Sequence, residues 1–130
     1  MKTVNKVYKV RKFESKKLDE VWEFDKSGEK KEILIKVVIE DGGELQAKGR
    51  LKISKKVKDI DVFLRYRVLL LGENAKARVE PELEIESNEI KAGHAASIGR
   101  VDQEQLFYLM SRGFNKKEAV KLIVEAFLNE

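Results

Sequence analysis

The chain has 130 residues, of which 38% are charged and 42% hydrophobic, with no cysteine and one histidine. That length suits a single domain with one core. The missing thiols exclude disulfides, a cysteine nucleophile, Cys-zinc sites and cysteinyl iron–sulfur ligation within one copy, and His94 alone cannot form a multi-histidine metal site. Apolar runs such as Val68 to Leu71 are too short for a membrane span or a signal-peptide core, so a soluble cytoplasmic protein is expected.

The formal charge of +4 is uneven: residues 1–65 hold 18 basic and 12 acidic side chains, residues 66–130 hold 9 and 11. The basic half intersperses its lysines with carboxylates and lacks an aromatic series for stacking, so it reads as a solvated surface rather than a nucleic-acid face.

In chain order, period-two alternation predicts strands over Val4–Phe13, Glu20–Phe24, Ile33–Glu40, Glu44–Ser54, Asp59–Arg67 and Val68–Leu71, separated by turn-like segments. Residues 14–21 also fit a short helix. Arg65 and Arg67 flank Tyr66, and strand alternation points Tyr66 away from both. Val79, Pro81, Leu83 and Ile85 then alternate with Glu80, Glu82, Glu84 and Glu86. Carboxylates two residues apart on a strand diverge, so this row predicts a charged outer face, offset by Lys or Arg across strands, rather than a cation site. After Ser87-Asn88 the phase restarts, with Ile90, Ala92, His94, Ala96 and Ile98 on one face. This phase predicts a core histidine between small residues.

From Val101 the spacing turns helical. Asp102 with Gln105 predicts a capped start, Leu106, Leu109 and Met110 a stripe, and Gly113 a stop. Asn115 with Glu118 repeats the start signal before Ala119, Leu122, Ile123, Ala126 and Phe127. A helix-turn-helix DNA reader is disfavoured, because the second helix offers Lys116, Lys117 and Lys121 without Arg, Asn or Gln for base edges. Phe107, Tyr108, Phe114 and Phe127 exceed what two short helices can bury together. Periodicity alone leaves sandwich, barrel and solenoid open. No P-loop, GxGxxG, HExxH or nucleophile elbow is present.

The ordered segments Gly49-Arg-Leu-Lys-Ile-Ser, Leu69-Leu-Leu-Gly72, Pro81-Glu-Leu-Glu-Ile85, Ile90-Lys-Ala-Gly-His-Ala-Ala-Ser-Ile-Gly99 and Asp102-Gln-Glu-Gln-Leu-Phe-Tyr-Leu-Met-Ser-Arg-Gly113 resemble the SufB/SufD family of iron–sulfur cluster assembly scaffolds. The resemblance spans about residues 31–130. It implies a mainly β fold: a truncated right-handed parallel β-helix over residues 31–100, then a C-terminal helical pair over 101–130. Residues 1–30 have no assigned place in this single 1–130 domain.

SufB-like members carry Glu at the His94 position and Cys at the Tyr66 position, so the chain looks SufD-like. The resemblance further implies a non-catalytic scaffold with a SufB-like partner and a SufC-like ATPase. It makes His94 the candidate ligand of a transient cluster at an interface, with no cofactor in the isolated chain. Leu106, Phe107, Met110, Arg112 and Phe114 are the candidate SufC-docking residues, and Leu69, Leu71, Lys91 and Ser97 the candidate subunit-pairing residues. Edge strands near Val68–Leu71 and Ile90–Ile98 are expected to align with the partner. A metal-free homo-oligomeric adaptor, or homodimer, and a basic nucleic-acid binder are the alternatives.

Overall fold

The computed structural model describes residues 2–130. Seven strands precede two helices: β1 (Lys2–Val10), β2 (Ser15–Phe24), β3 (Lys30–Ile39), β4 (Glu44–Ile53), β5 (Ile60–Leu70), β6 (Lys76–Ile85), β7 (Ile90–Arg100), α1 (Gln103–Ser111) and α2 (Lys116–Leu128). Odd strands form one parallel sheet, β1-β3-β5-β7, and even strands a second, β2-β4-β6. The chain therefore winds between two sheets as a β-solenoid of about three turns, followed by the helical pair.

Alternation turns this path into a core. Ile33, Ile35, Val37 and Ile39 on β3 and Val62, Leu64, Tyr66 and Val68 on β5 face inward, against Leu45, Ala47, Leu51 and Ile53 on β4. Each fully buried aliphatic side chain contributes about 1.5–3 kcal/mol relative to exposure, so this lumen dominates the stability of the solenoid. Stacked positions such as Lys2, Lys31, Val62 and Ala92 recur about every 30 residues. The repeat is one of geometry and burial, with different side chains at each level.

Residues 2–29 form the first coil. Ser15–Phe24 is a strand rather than a helix, because Leu18, Trp22 and Phe24 point into the lumen while Lys17, Asp19, Val21 and Glu23 are exposed. Both edges of this coil are unpaired, and polar groups close its lumen. Lys6 Nζ donates to Glu20 Oε2 at 2.9 Å across the two sheets, and the Tyr8 hydroxyl donates to the same oxygen at 3.2 Å. Lys6 also stands over Trp22 and Lys16 over Tyr8.

Asp59–Arg67 and Val68–Leu71 are not two strands: β5 runs unbroken from Ile60 to Leu70 in the middle of its sheet. The Leu69-Leu70-Leu71 region therefore has no free edge to offer a partner. Tyr66 is fully buried inside while Arg65 and Arg67 point outward, as strand alternation requires. On the outside of the three-stranded sheet, Arg50 on β4 bonds Glu82 at 3.0 Å and approaches Glu84, and Lys48 approaches Glu80. The glutamate row is thus a charged outer face matched by a basic neighbouring strand. Such exposed pairs set register more than they stabilise.

Candidate functional site: the β7 edge and the helical pair

The two sheets are unequal, and that places His94. β7 is the fourth strand of its sheet, whereas the facing sheet stops at its third strand, β6. In register, Ala92, His94, Ala96 and Ile98 continue the inward columns of Val62, Leu64, Tyr66 and Val68. The β5 members of those columns are buried. Beyond Ala92, however, the β7 members are exposed, and Ile98 is 45% accessible because no strand lies opposite. His94 has the inward phase expected of it but is exposed, so it is not a core histidine. Among the described residues no group of three His, Cys, Asp or Glu side chains is arranged to hold a metal ion.

The free edges of the solenoid differ in character. β1 carries Lys2, Lys6 and Lys9; β2 carries Lys16, Lys17, Asp19, Glu20 and Glu23; β6 carries five charged residues and Pro81. Charges and proline on edge strands oppose further pairing. Residues 92–99 of β7 contain no Lys, Arg, Asp, Glu or Pro. Gly93 lets the Phe63 ring lie against this strand, since a Cβ there would stand 3.0 Å from Phe63 Cε2. Phe63 in turn is covered by the Arg65 guanidinium, 4.9 Å from the ring centre. Lys91 and Ser97, two of the expected pairing residues, are exposed on β7. Leu69 and Leu71 are not free in the same way: Leu69 is buried under the helices and Leu71 packs against the same cluster.

The helical pair builds a second, smaller core from Leu69, Val101, Leu106, Ala119 and Ile123. Asp102 caps α1 by accepting from the Glu104 N–H at 3.0 Å, in place of the expected reciprocal pairing with Gln105. Asn115 and Glu118 form the full capping box of α2. Gly113 adopts φ of 102°, a left-handed conformation suited to ending α1.

Leu106, one of the candidate docking residues, belongs to this inner core. Phe107 is 75% exposed, and Tyr108, Met110, Phe114 and Leu122 are also exposed. Arg112 stacks on Tyr108 with its guanidinium 5.3 Å from the ring centre. The pair therefore presents an aromatic, apolar surface facing away from the solenoid, of the kind that marks protein contacts.

Sequence reasoning missed Lys36. The residue is 4% exposed, and Nζ donates to the main-chain oxygens of Phe127 at 2.9 Å, Leu128 at 3.3 Å and Glu130 at 3.0 Å. The signal was one lysine inside the apolar run Ile33-Leu-Ile-Lys-Val-Val-Ile39. The described helices include none long and apolar enough to cross a membrane.

A parallel two-sheet solenoid here ends in a strand whose central residues are uncharged, followed by a helical pair with exposed aromatic side chains. The sequence matches the family described as "SUF system FeS cluster assembly, SufBD core domain" over residues 3–127, and the chain belongs to that family. It is 35% identical over 97 residues to the iron–sulfur cluster assembly protein SufD of Escherichia coli (strain K12), covering 75% of this chain and 23% of that protein. Identity to SufD of Bacillus subtilis (strain 168) is 53% over 62 residues, covering 48% of this chain and 14% of that protein. An iron–sulfur cluster assembly SufBD family protein of Mycobacterium tuberculosis (strain ATCC 25618 / H37Rv) is 45% identical over 83 residues, covering 63% and 21%. The chain thus spans about a quarter or less of the length of these relatives.

Proposed function

We propose that this chain is a SufD-like, non-catalytic scaffold in iron–sulfur cluster assembly. It pairs through β7 with a SufB-like chain and docks a SufC-like ATPase on its helical pair. The observation that carries this reading is the β7 edge: residues 92–99 carry no charge or proline, and from His94 onward the inward-phase side chains are exposed. Edge pairing by a partner would satisfy the backbone groups and bring the partner's side chains to His94. A neutral imidazole is a competent iron ligand, and the absence of cysteine from this chain assigns any protein thiolate to the partner. The nascent cluster is then cargo at an interface that can open to release it. The exposed Phe107, Met110 and Phe114 supply the apolar contact for the ATPase.

Anaerobic reconstitution with a cysteine-bearing SufB-like protein and a SufC-like ATPase tests this reading. Co-elution of all three proteins is expected, with cluster absorbance reduced by His94→Ala while assembly stays intact. Intact assembly with undiminished cluster formation would make the chain a metal-free adaptor, and failure to co-elute would refute the pairing itself.

A further inference from the structure

The helical pair is attached to the solenoid by a chain connection, a small apolar core and a polar contact at its far end. Its near end is continuous with β7 through Val101, and its small core reaches the solenoid at Leu69 on the outer face of β5. This cluster shares no buried residue with the lumen core. The far end, where α2 stops, is held by polar groups. The three main-chain oxygens on Lys36 match the three donors of an ammonium group. A cation at a helix C-terminus also meets the negative end of the helix dipole. Beside it, Arg67 pairs with Glu130, and the Phe127 ring lies between the two cations, 5.8 Å from Lys36 Nζ and 5.4 Å from Arg67 Cζ. Lys36 and Arg67 are register neighbours on β3 and β5.

We propose that α1 and α2 form a hinged arm that lifts off the solenoid as one unit, with Lys36 as its clasp. The separate cores make the helices and the coils distinct cooperative units, and such units open independently when little apolar surface joins them. The clasp makes the motion two-state: a partly lifted arm leaves a buried ammonium without acceptors, whereas a fully lifted arm gives Lys36 to water. Lifting turns about Val101 and Asp102 and uncovers Leu69, Lys36 and Arg67 on the outer face of the four-stranded sheet.

Native-state hydrogen exchange on the full chain tests the arm. In the wild type, amides of α1 and α2 are expected to share one opening free energy, below that of β3, β4 and β5. Lys36→Met keeps the aliphatic length and removes the donors. It should accelerate exchange throughout both helices by about 10- to 100-fold, the range for losing charged hydrogen bonds, with the lumen strands unchanged. Glu130→Gln, at a half-exposed side chain that cannot unfold the coils, should give a smaller acceleration confined to the helices. Helices and lumen strands opening with one common free energy in the wild type would overturn the proposal. So would equal acceleration of helices and strands, or none, in the Lys36 variant.

Discussion

The Tyr66 hydroxyl on β5 occupies the space that a side chain on Gly49 of β4 would need, on the opposite wall of the lumen. The phenol is fully buried, and its oxygen has no hydrogen-bond partner among the described residues; Glu20 Oε1, in the row adjoining Gly49, is likewise buried without one. The two sheets can approach at this level because one residue has no Cβ. The hydroxyl adds length there without adding a bond.

Gly49→Ala is therefore expected to lower unfolding stability by about 1–3 kcal/mol through overpacking. Tyr66→Phe should be neutral or stabilising by about 1 kcal/mol, because it removes an unsatisfied buried group. In the Tyr66→Phe background the cost of Gly49→Ala should fall. Urea denaturation of the four proteins measures the coupling, and strictly additive effects would contradict this contact.

Three groups of the lumen shift in one direction. Lys6 is raised above its usual 10.5, mainly by its hydrogen bond to Glu20 and then by that carboxylate's charge. Burial raises Tyr8 and Tyr66 above their usual 10.0, with Glu20 adding to both. A folded-state pKa above the unfolded one gives stability that is complete below the unfolded pKa and is lost as pH rises through the folded value. These groups should leave stability flat from pH 7 to 9 and lower it above about pH 10. Tyr66→Phe should flatten that alkaline limb. Ultraviolet titration of phenolate absorbance checks the origin, since Tyr66 should ionise only as the protein unfolds.

Leu106 and Phe107 are neighbours in sequence with opposite expected phenotypes. Leu106→Ala opens a cavity in the helical core and should cost about 2–5 kcal/mol. Phe107→Ala, at an exposed site, should change thermal stability by less than about 0.5 kcal/mol yet weaken capture of the SufC-like ATPase. Paired thermal melts and pull-downs separate the two, and unimpaired capture by Phe107→Ala combined with Phe114→Ala would remove this surface from the docking reading.

Ala95→Lys places a charge in the middle of the unguarded β7 edge, where the other free strands already carry theirs. The substitution should leave the far-ultraviolet circular dichroism unchanged and lower affinity for the SufB-like chain at least tenfold, measured by titration calorimetry. Undiminished affinity would show that the partner does not use this edge.

Much of this molecule is legible along the chain because a strand half-buried in a lumen needs alternation, and alternation is local. Val79 to Glu86, Ile90 to Ile98 and the helical spacing after Val101 each announce their form and inner face. The family resemblance, carried by short ordered motifs, is legible in the same way. Neighbour relations are not. Parallel strands pair across about 30 residues, and each pairing depends on what fits between the sheets, as Tyr66 fits only against Gly49.

His94 and Lys36 mark the boundary most clearly. Phase alone predicts a buried histidine, and nothing in that reading singles out Lys36; the fold exposes the first and buries the second. The sheet opposite His94 ends one strand early, which leaves its inward face open to solvent, while the end of α2 folds back over Lys36 and supplies acceptors for its charge. Local alternation and short motifs along the chain establish which residues share a face and which family they belong to. Tertiary structure decided which faces are covered, because burial depends on elements that arrive from distant parts of the chain.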